Sequence, residues 1–347
     1  MIRIVFFFLQ KTLAARKKKR VVLLCFSVIF SLFLSMGESW AQGRRKKVHY
    51  LETGAERKLE VPYKRVGGEE LKLDVYYPTA KRTKRNPVIF FAHGGGWGAG
   101  DKYNAASGLY APLFLKLLKH GFIVISIDYR LWKKDGSVYV PDCVSDCKDA
   151  MRFIARQAER FEADPERFFC IGGSAGGHLA QMMLLTPPET FPGDPQLAHV
   201  KYKMIAGVSW FGFTNFEEKE LFIKPGRSRR GDPRAGTIVR ILRPGLREEE
   251  KEKVLHEMSP TSWLRPTMPP LLLFQGDHDT AVTVQHAYYM KKKAKAAQAP
   301  VTVVIVRNAG HNWKQIGSGS TPSKEKIIDM TCDFFLSHLS CTAQGGN

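Results

Sequence analysis

Three residue types that together can cleave an acyl bond occur in this chain in the order serine, aspartate, histidine, each following an apolar run. Gly172-Gly173-Ser174-Ala175-Gly176 is a G-x-S-x-G sequence. It comes straight after Arg167-Phe168-Phe169-Cys170-Ile171 and straight before the helical pattern His178-Leu179-Ala180-Gln181-Met182-Met183. A strand, a sharp turn and a helix with serine at the apex lift the hydroxyl clear of the sheet, and the flanking glycines tolerate the crowding. A hydroxyl is a weak nucleophile until a neighbouring base takes its proton, so Ser174 is the candidate nucleophile and the chemistry is acyl transfer. The run Pro269-Pro270-Leu271-Leu272-Leu273-Phe274-Gln275-Gly276 empties into Asp277-His278-Asp279, and Val301–Val306 empties into Arg307-Asn308-Ala309-Gly310-His311. His311 is the candidate base. Asp279 is the candidate acid that fixes its tautomer and stabilises its charged form.

Acyl transfer also builds negative charge on a carbonyl oxygen, which backbone N–H groups stabilise when nothing blocks their approach. Upstream, Pro87–Ala92 is a buried-type strand that opens into His93-Gly94-Gly95-Gly96-Trp97. The N–H groups of Gly95, Gly96 and Ala175 are therefore the candidate oxyanion hole, the last reinforced by the N-terminus of the following helix. Asp277 is the rival acid. Two residues apart in an extended segment, both carboxylates could face one way, and Asp279 is favoured because it lies further into the loop, leaving Asp277 to structure it. His178, His278 and His286 read as packing or surface histidines, and His93 as a brace for the glycine loop.

These motifs resemble the α/β-hydrolase superfamily over about residues 66 to 338. Within it the match is to the hormone-sensitive-lipase-like carboxylesterases and, more closely, to the bacterial bifunctional feruloyl and acetyl xylan esterases. The resemblance rests on His93-Gly94-Gly95-Gly96-Trp97 with Gly100-Asp101-Lys102, Asp128-Tyr129-Arg130-Leu131, Asp164-Pro165-Glu166-Arg167, Gly172 to Ala180, Ser209-Trp210-Phe211-Gly212, Gly276-Asp277-His278-Asp279 and Gly310-His311. It implies a serine hydrolase acting on carboxylic esters without a cofactor, and it gives Ser174, Asp279 and His311 the roles reached above. Two stretches depart from the pattern: Trp132-Lys133-Lys134-Asp135 where lipase-like relatives carry Ala-Pro-Glu, and a long, highly charged segment from Glu217 to His256.

The elements that must position these residues fit one α/β domain: a mostly parallel central sheet flanked by helices, with a small charged cap insertion at about 217–256. Arg57–Pro62 and Leu71–Tyr77 read as edge strands. Further strands are expected near 87–92, 122–128, 167–171, 204–210, 269–275 and 301–306, and helices near 107–119, 142–162, 175–185, 247–256, 284–297 and 322–338. Residues 66–340 form the expected catalytic domain and 42–65 a basic lead-in. Residues 1–41 read as a signal peptide: Arg16-Lys17-Lys18-Lys19-Arg20 precedes the apolar run Val21–Met36, and Ser39-Trp40-Ala41 places small residues where a signal peptidase cuts. The expectation is export to the periplasm or beyond, with an uncleaved membrane anchor as the alternative.

Removing residues 1–41 takes away seven basic residues and one acidic one, lowering the formal charge from +20 to +14. A basic balance favours acidic glycans or anionic lipid as partners, and equally fits a solvated charged face; no nucleic-acid module is recognisable. Cys143, Cys147, Cys170, Cys332 and Cys341 would remain. Cys143 and Cys147 lack a second ligand pair for a metal, Cys170 reads as core, and Cys332 with Cys341 is a candidate staple of the C-terminus.

Trp97, Trp210, Phe211 and Trp313 follow motif residues at the C-terminal rim of the sheet, where ligands bind in such folds, and are the candidate substrate contacts. The expected function is an exported serine carboxylesterase that acts through an acyl-enzyme on short-chain or aryl esters, deacetylating or deferuloylating polysaccharide. An amidase or peptidase of the same fold and a non-catalytic binding protein on this scaffold are the rivals.

Overall fold

The computed structural model describes residues 48–224 and 231–343. The expected signal peptide and the first part of the expected basic lead-in lie outside the described residues. Among those that are described, no helix is long and apolar enough to cross a membrane.

Eight strands form one sheet in the order β1-β2-β4-β3-β5-β6-β7-β8. They are β1 (Arg57–Val66), β2 (Glu69–Tyr76), β3 (Asn86–Ala92), β4 (Ile123–Ile127), β5 (Ala163–Gly173), β6 (Met204–Trp210), β7 (Leu271–Gly276) and β8 (Val301–Val306). β1 runs antiparallel to β2 and β2 antiparallel to β4, while every pair from β4 to β8 is parallel. β2 therefore lies inside the sheet, between β1 and β4, rather than at its edge. Its residues Leu71, Leu73, Asp74, Val75 and Tyr76 are all buried. β1 also takes the second half of the lead-in into the sheet, so the sheet begins before residue 66.

The apolar runs read as strands because both faces of this sheet are covered. Along β3, Val88, Phe90 and Ala92 join one core layer and Ile89 and Phe91 the other, the alternation of a pleated strand. The first layer lies under α2 (Val140–Arg156) and α3 (Ala175–Leu185), the second under α1 (Ala111–Lys119) and α7 (Lys324–Ala343). All residues of α3 are buried, which is why its sequence is apolar all round rather than striped.

Chain order and sheet order part company at β3. The chain leaves β3 for β4 on one side and returns to β5 on the other, making the β3/β5 boundary a topological switch point where loops diverge and leave a crevice. Between β6 and β7 the chain forms the insertion with α4 (Ala235–Ile241) and α5 (Glu248–Met258), and α6 (Gln285–Ala296) follows β7. The seven residues of α4 include glycine and β-branched side chains, a pattern too short and too poor in helix propensity to be expected as a helix.

Cys332 is a free thiol, and the candidate staple to Cys341 is ruled out by the helix that holds both. Nine residues at about 1.5 Å each separate their Cα atoms by ~13 Å, against the ~7 Å limit for a disulfide.

Candidate active site

Ser174 stands between β5 and α3 with φ 58° and ψ −123°, a conformation that costs a non-glycine residue about 1–3 kcal/mol. Two bonds hold it there. Its N–H donates to the Trp210 carbonyl at the end of β6 (2.9 Å), and its own carbonyl accepts the first helical bond from His178 (3.1 Å). The approach of the helix to the sheet depends on Gly176, where a Cβ would lie 2.6 Å from the His93 carbonyl oxygen and nearer still to that of Ala92.

β7 and β8 deliver the other two residues. His311 Nε2 lies 3.0 Å from Ser174 Oγ, and His311 Nδ1 lies 2.7 Å from Asp279 Oδ2. A carboxylate only accepts, so Nδ1 carries the proton and Nε2 faces the serine hydroxyl as an acceptor. Asp279 is buried (4 % exposed), and its second oxygen accepts the N–H groups of Ala281 (2.8 Å) and Val282 (2.9 Å). Gln275 Nε2 adds a bond to Oδ2 (3.0 Å). Gln275 went unnoticed in the sequence, yet a signal was present: one amide at the end of Leu271-Leu272-Leu273-Phe274 needs a partner inside the protein.

Asp277 turns elsewhere. Its Oδ1 accepts the Ala309 N–H (3.2 Å) and pairs with Nδ1 of the exposed His278 (2.7 Å), holding the turn after β7 to the turn after β8. His178 is fully buried and donates from Nε2 to the Met258 carbonyl of α5 (2.8 Å), while His286 sits beside Thr214. Burial pushes the imidazole of His178 down to about 4, against the opposing pull of its bond to Met258, and that of His286 down to about 3. Both are neutral, structural groups.

The glycine loop after β3 reaches the same point. A Cβ at Gly94 would be in ordinary contact with Ser174 Cβ (3.6 Å). Gly95, at φ 111°, has no room for a side chain because one would overlap the Ala99 carbonyl. His93 Nδ1 donates to the Gly94 carbonyl (2.7 Å), and its ring stacks on Tyr129 at 4.2 Å. The Gly95 carbonyl accepts from Gly98 N (3.2 Å). Among the described residues, no backbone carbonyl outside the helices and strands takes the N–H of Gly95, Gly96 or Ala175.

The four candidate aromatic contacts are placed less simply. Trp210 is not at the rim: it is fully buried, stacks on Tyr110, and donates from Nε1 to Thr331 of α7 (3.2 Å), because the last residue of β6 points to the α1/α7 face. Phe211 packs its edge on His311 (4.8 Å) and Trp313 (4.7 Å), so it borders the triad without exposing surface. Trp313 is 6 % exposed. Trp97 stacks on Phe213 (5.3 Å) and meets the His178 ring edge-on (5.4 Å), inside the core under the insertion.

A cavity of about 540 Å³ lies in the insertion, lined by Glu217, Arg234, Ile238, Leu242 and Lys251 among others. It contains none of the three triad residues. Among the described residues, no group of three or more His, Cys, Asp or Glu side chains is arranged to hold a metal.

A sheet in this order, with serine after β5, aspartate after β7, histidine after β8 and a glycine loop after β3, defines an α/β hydrolase of the carboxylesterase type. The chain belongs to the BD-FAE family, whose model matches residues 73–294. It is 25% identical over 279 residues to the "Probable carboxylic ester hydrolase LipM" of Mycobacterium tuberculosis, covering 79% of this chain and 60% of that protein. It is 36% identical over 222 residues to the "Probable isoprenylcysteine alpha-carbonyl methylesterase ICMEL1" of Oryza sativa, covering 61% of this chain and 47% of that protein. The chain thus spans between about half and three-fifths of the length of these curated relatives. Among solved structures, Thermogutta terrifontis esterase 2 phosphonylated by sarin aligns at a TM-score of 0.65 with 25% identity, covering 82% of this chain and 96% of that one. Its propionate-bound form aligns at 0.61 with 25% identity, covering 82% and 94%.

Proposed function

We propose that this protein is an exported serine carboxylesterase that cleaves short-chain or aryl carboxylic esters through an acyl-enzyme, with acylated polysaccharide as the substrate class. The observation that carries the reading is the continuous chain Ser174 Oγ, His311, Asp279, joined at 3.0 and 2.7 Å beside a glycine loop. In the first half-reaction Ser174 Oγ attacks the ester carbonyl carbon and its proton passes to His311 Nε2. The oxyanion is met by the N–H groups of Gly95, Gly96 and Ala175. Collapse breaks the ester C–O bond, and His311 returns the proton to the departing alkoxide as alcohol. Water, deprotonated by His311, then attacks the acyl-enzyme, and the carboxylic acid leaves as Ser174 regains its proton. Asp279 stays ionised throughout and balances the imidazolium.

The propionate bound to the Thermogutta esterase supports a short acyl group, and the resemblance of the motifs to feruloyl and acetyl xylan esterases supports acetyl or feruloyl esters on polysaccharide. Export rests on the pattern of residues 1–41 alone.

The test is hydrolysis of p-nitrophenyl acetate, butyrate and octanoate by the mature chain and by Ser174→Ala, with acetylated xylan and methyl ferulate in parallel. The expected result is activity falling with acyl length and reduced about 10⁴- to 10⁶-fold by the substitution. Activity that survives Ser174→Ala overturns the mechanism, and activity on amides but not esters replaces the substrate class. Inertness toward acetylated xylan and methyl ferulate, with p-nitrophenyl esters cleaved, removes the polysaccharide assignment.

A further inference from the structure

Resting on the esterase reading above, we infer that Arg240 of the insertion is a positioning residue for the oxyanion loop, holding it from the cap side through the Gly96 carbonyl. In a trans peptide the C=O of one residue shares a plane with the N–H of the next, so the grips on the Gly94 and Gly95 carbonyls set the N–H groups of Gly95 and Gly96, and a grip on the Gly96 carbonyl fixes the Gly96–Trp97 peptide that closes the loop behind them. The carbonyls of Gly94, Gly95 and Trp97 are gripped from within the body of the domain, by His93 Nδ1 (2.7 Å), Gly98 N (3.2 Å) and Trp132 N (2.7 Å). The carbonyl of Gly96 accepts a bond from Arg240 Nη1, contributed by α4 from 144 residues along the chain. Gly95 and Gly96 have φ of 111° and 60°, and with no side chain to limit rotation at Gly96 the loop keeps its shape only if the Gly96–Trp97 peptide at its far end is also held, which is the bond Arg240 supplies.

Arg240 is itself seated. Its guanidinium carbon lies 5.0 Å from the centre of the Trp132 ring, and a Cβ at Gly98 would touch both Trp132 (3.5 Å) and Arg240 Nη1 (3.7 Å). Trp132 is the residue at which the chain departs from Ala-Pro-Glu of the lipase-like pattern, and Arg240 belongs to the other departing segment. The two departures meet on the glycine loop: one grips the Trp97 carbonyl, the other the Gly96 carbonyl. The bond also stands a guanidinium charge beside the loop that must receive an oxyanion. A loose oxyanion loop weakens the transition state more than the bound ester, so the loss belongs in the acylation rate and not in KM.

The experiment compares Arg240→Met, Arg240→Lys and Val239→Ala, the last an exposed neighbour on the same helix (52 % exposed), with wild type and Ser174→Ala. Acylation is followed by stopped-flow release of p-nitrophenol from the butyrate ester. Transition-state affinity is read as inhibition by an alkylboronic acid, which becomes tetrahedral on the serine, and melting temperatures are recorded for each variant. Arg240→Met is expected to lower acylation and boronate affinity together by about ten- to a hundredfold with KM within about twofold. Arg240→Lys, which keeps a donor, recovers most of that loss, and Val239→Ala matches wild type. An Arg240→Met enzyme with wild-type acylation and boronate affinity overturns the inference while an inactive Ser174→Ala leaves the esterase reading standing. A loss that tracks melting temperature, with boronate affinity unchanged, also overturns it. Activity persisting in Ser174→Ala fails the esterase reading instead.

Discussion

Asp279 occupies a site that leaves its carboxylate no freedom: Ala281 and Val282 N–H groups fix Oδ1, while His311 and Gln275 share Oδ2. Replacing it with asparagine presents the same outline but offers Nδ2 a route to His311, which would put the imidazole in the wrong tautomer. Asp279→Asn is expected to lower kcat about 10⁴-fold without unfolding the chain, measured on p-nitrophenyl butyrate with circular dichroism as control. Gln275→Met removes one of the four supports and keeps the tautomer, so its loss should stay near tenfold. A Gln275→Met enzyme as inactive as Asp279→Asn would show that the amide does more than orient. Ser174 and His311 were legible because each sits beside a glycine at the end of an apolar run. The choice between Asp277 and Asp279 was not legible from alternation, because β7 ends at Gly276 and both acids lie in a turn where strand periodicity no longer applies.

The elements were legible wherever one physical rule governed a whole segment. The eight expected strands all formed, and α3 matched its expected span of 175–185, since a helix entered from a G-x-S-x-G turn has little choice of start. The rest depended on neighbours the sequence does not display. β2 looked like an edge until β4 paired with it, and Trp210 looked like a rim residue until its strand turned it toward Thr331. The same dependence sets opposite outcomes for one chemical change. Gly176 and Gly236 are each the second residue of a helix, α3 and α4. At Gly176 an added methyl group strikes the carbonyls of Ala92 and His93, which belong to the end of a central strand that cannot retreat. At Gly236 nothing lies within 4 Å. Gly176→Ala is expected to destabilise by more than ~3 kcal/mol or prevent soluble expression, whereas Gly236→Ala should stabilise by up to about 1 kcal/mol, both read as shifts in urea midpoint. Equal midpoints for the two variants would contradict the close packing of α3 on the sheet.

For the whole molecule, buried Lys148, lowered by desolvation to about 6, costs stability as pH falls from 10.5 to about 6 and is constant below that, which leaves two buried histidines away from the triad to act on the acid side. His178 ties the nucleophile helix α3 to Met258 of the insertion, and His286 sits in the core between α6 and the segment after β6. Burial holds them near 4 and 3, below the 6.5 of a free imidazole, so both are neutral when folded and charge only on unfolding as the pH drops. In that window the unfolded chain binds more protons, which means stability rises with pH; it is fully present above 6.5 and lost progressively as pH falls through 4 and 3. A shift of the size seen for His178 corresponds to about 3 kcal/mol. Asp74 works the other way. Burial raises its carboxyl to about 6 from 3.8, so the folded state gains on acidification between 6 and 3.8 by roughly as much as one histidine loses. Its neighbours Asp128 and Glu60, shifted up and down, oppose each other. The melting temperature should therefore fall between pH 6 and 4 with the slope of about one uncompensated histidine. His178→Gln, whose amide can still reach the Met258 carbonyl, removes that histidine and leaves His286 and Asp74 nearly balanced. Its melting temperature should be almost flat across the same range, and a variant that loses stability as steeply as wild type would mean that the acid limb has another source.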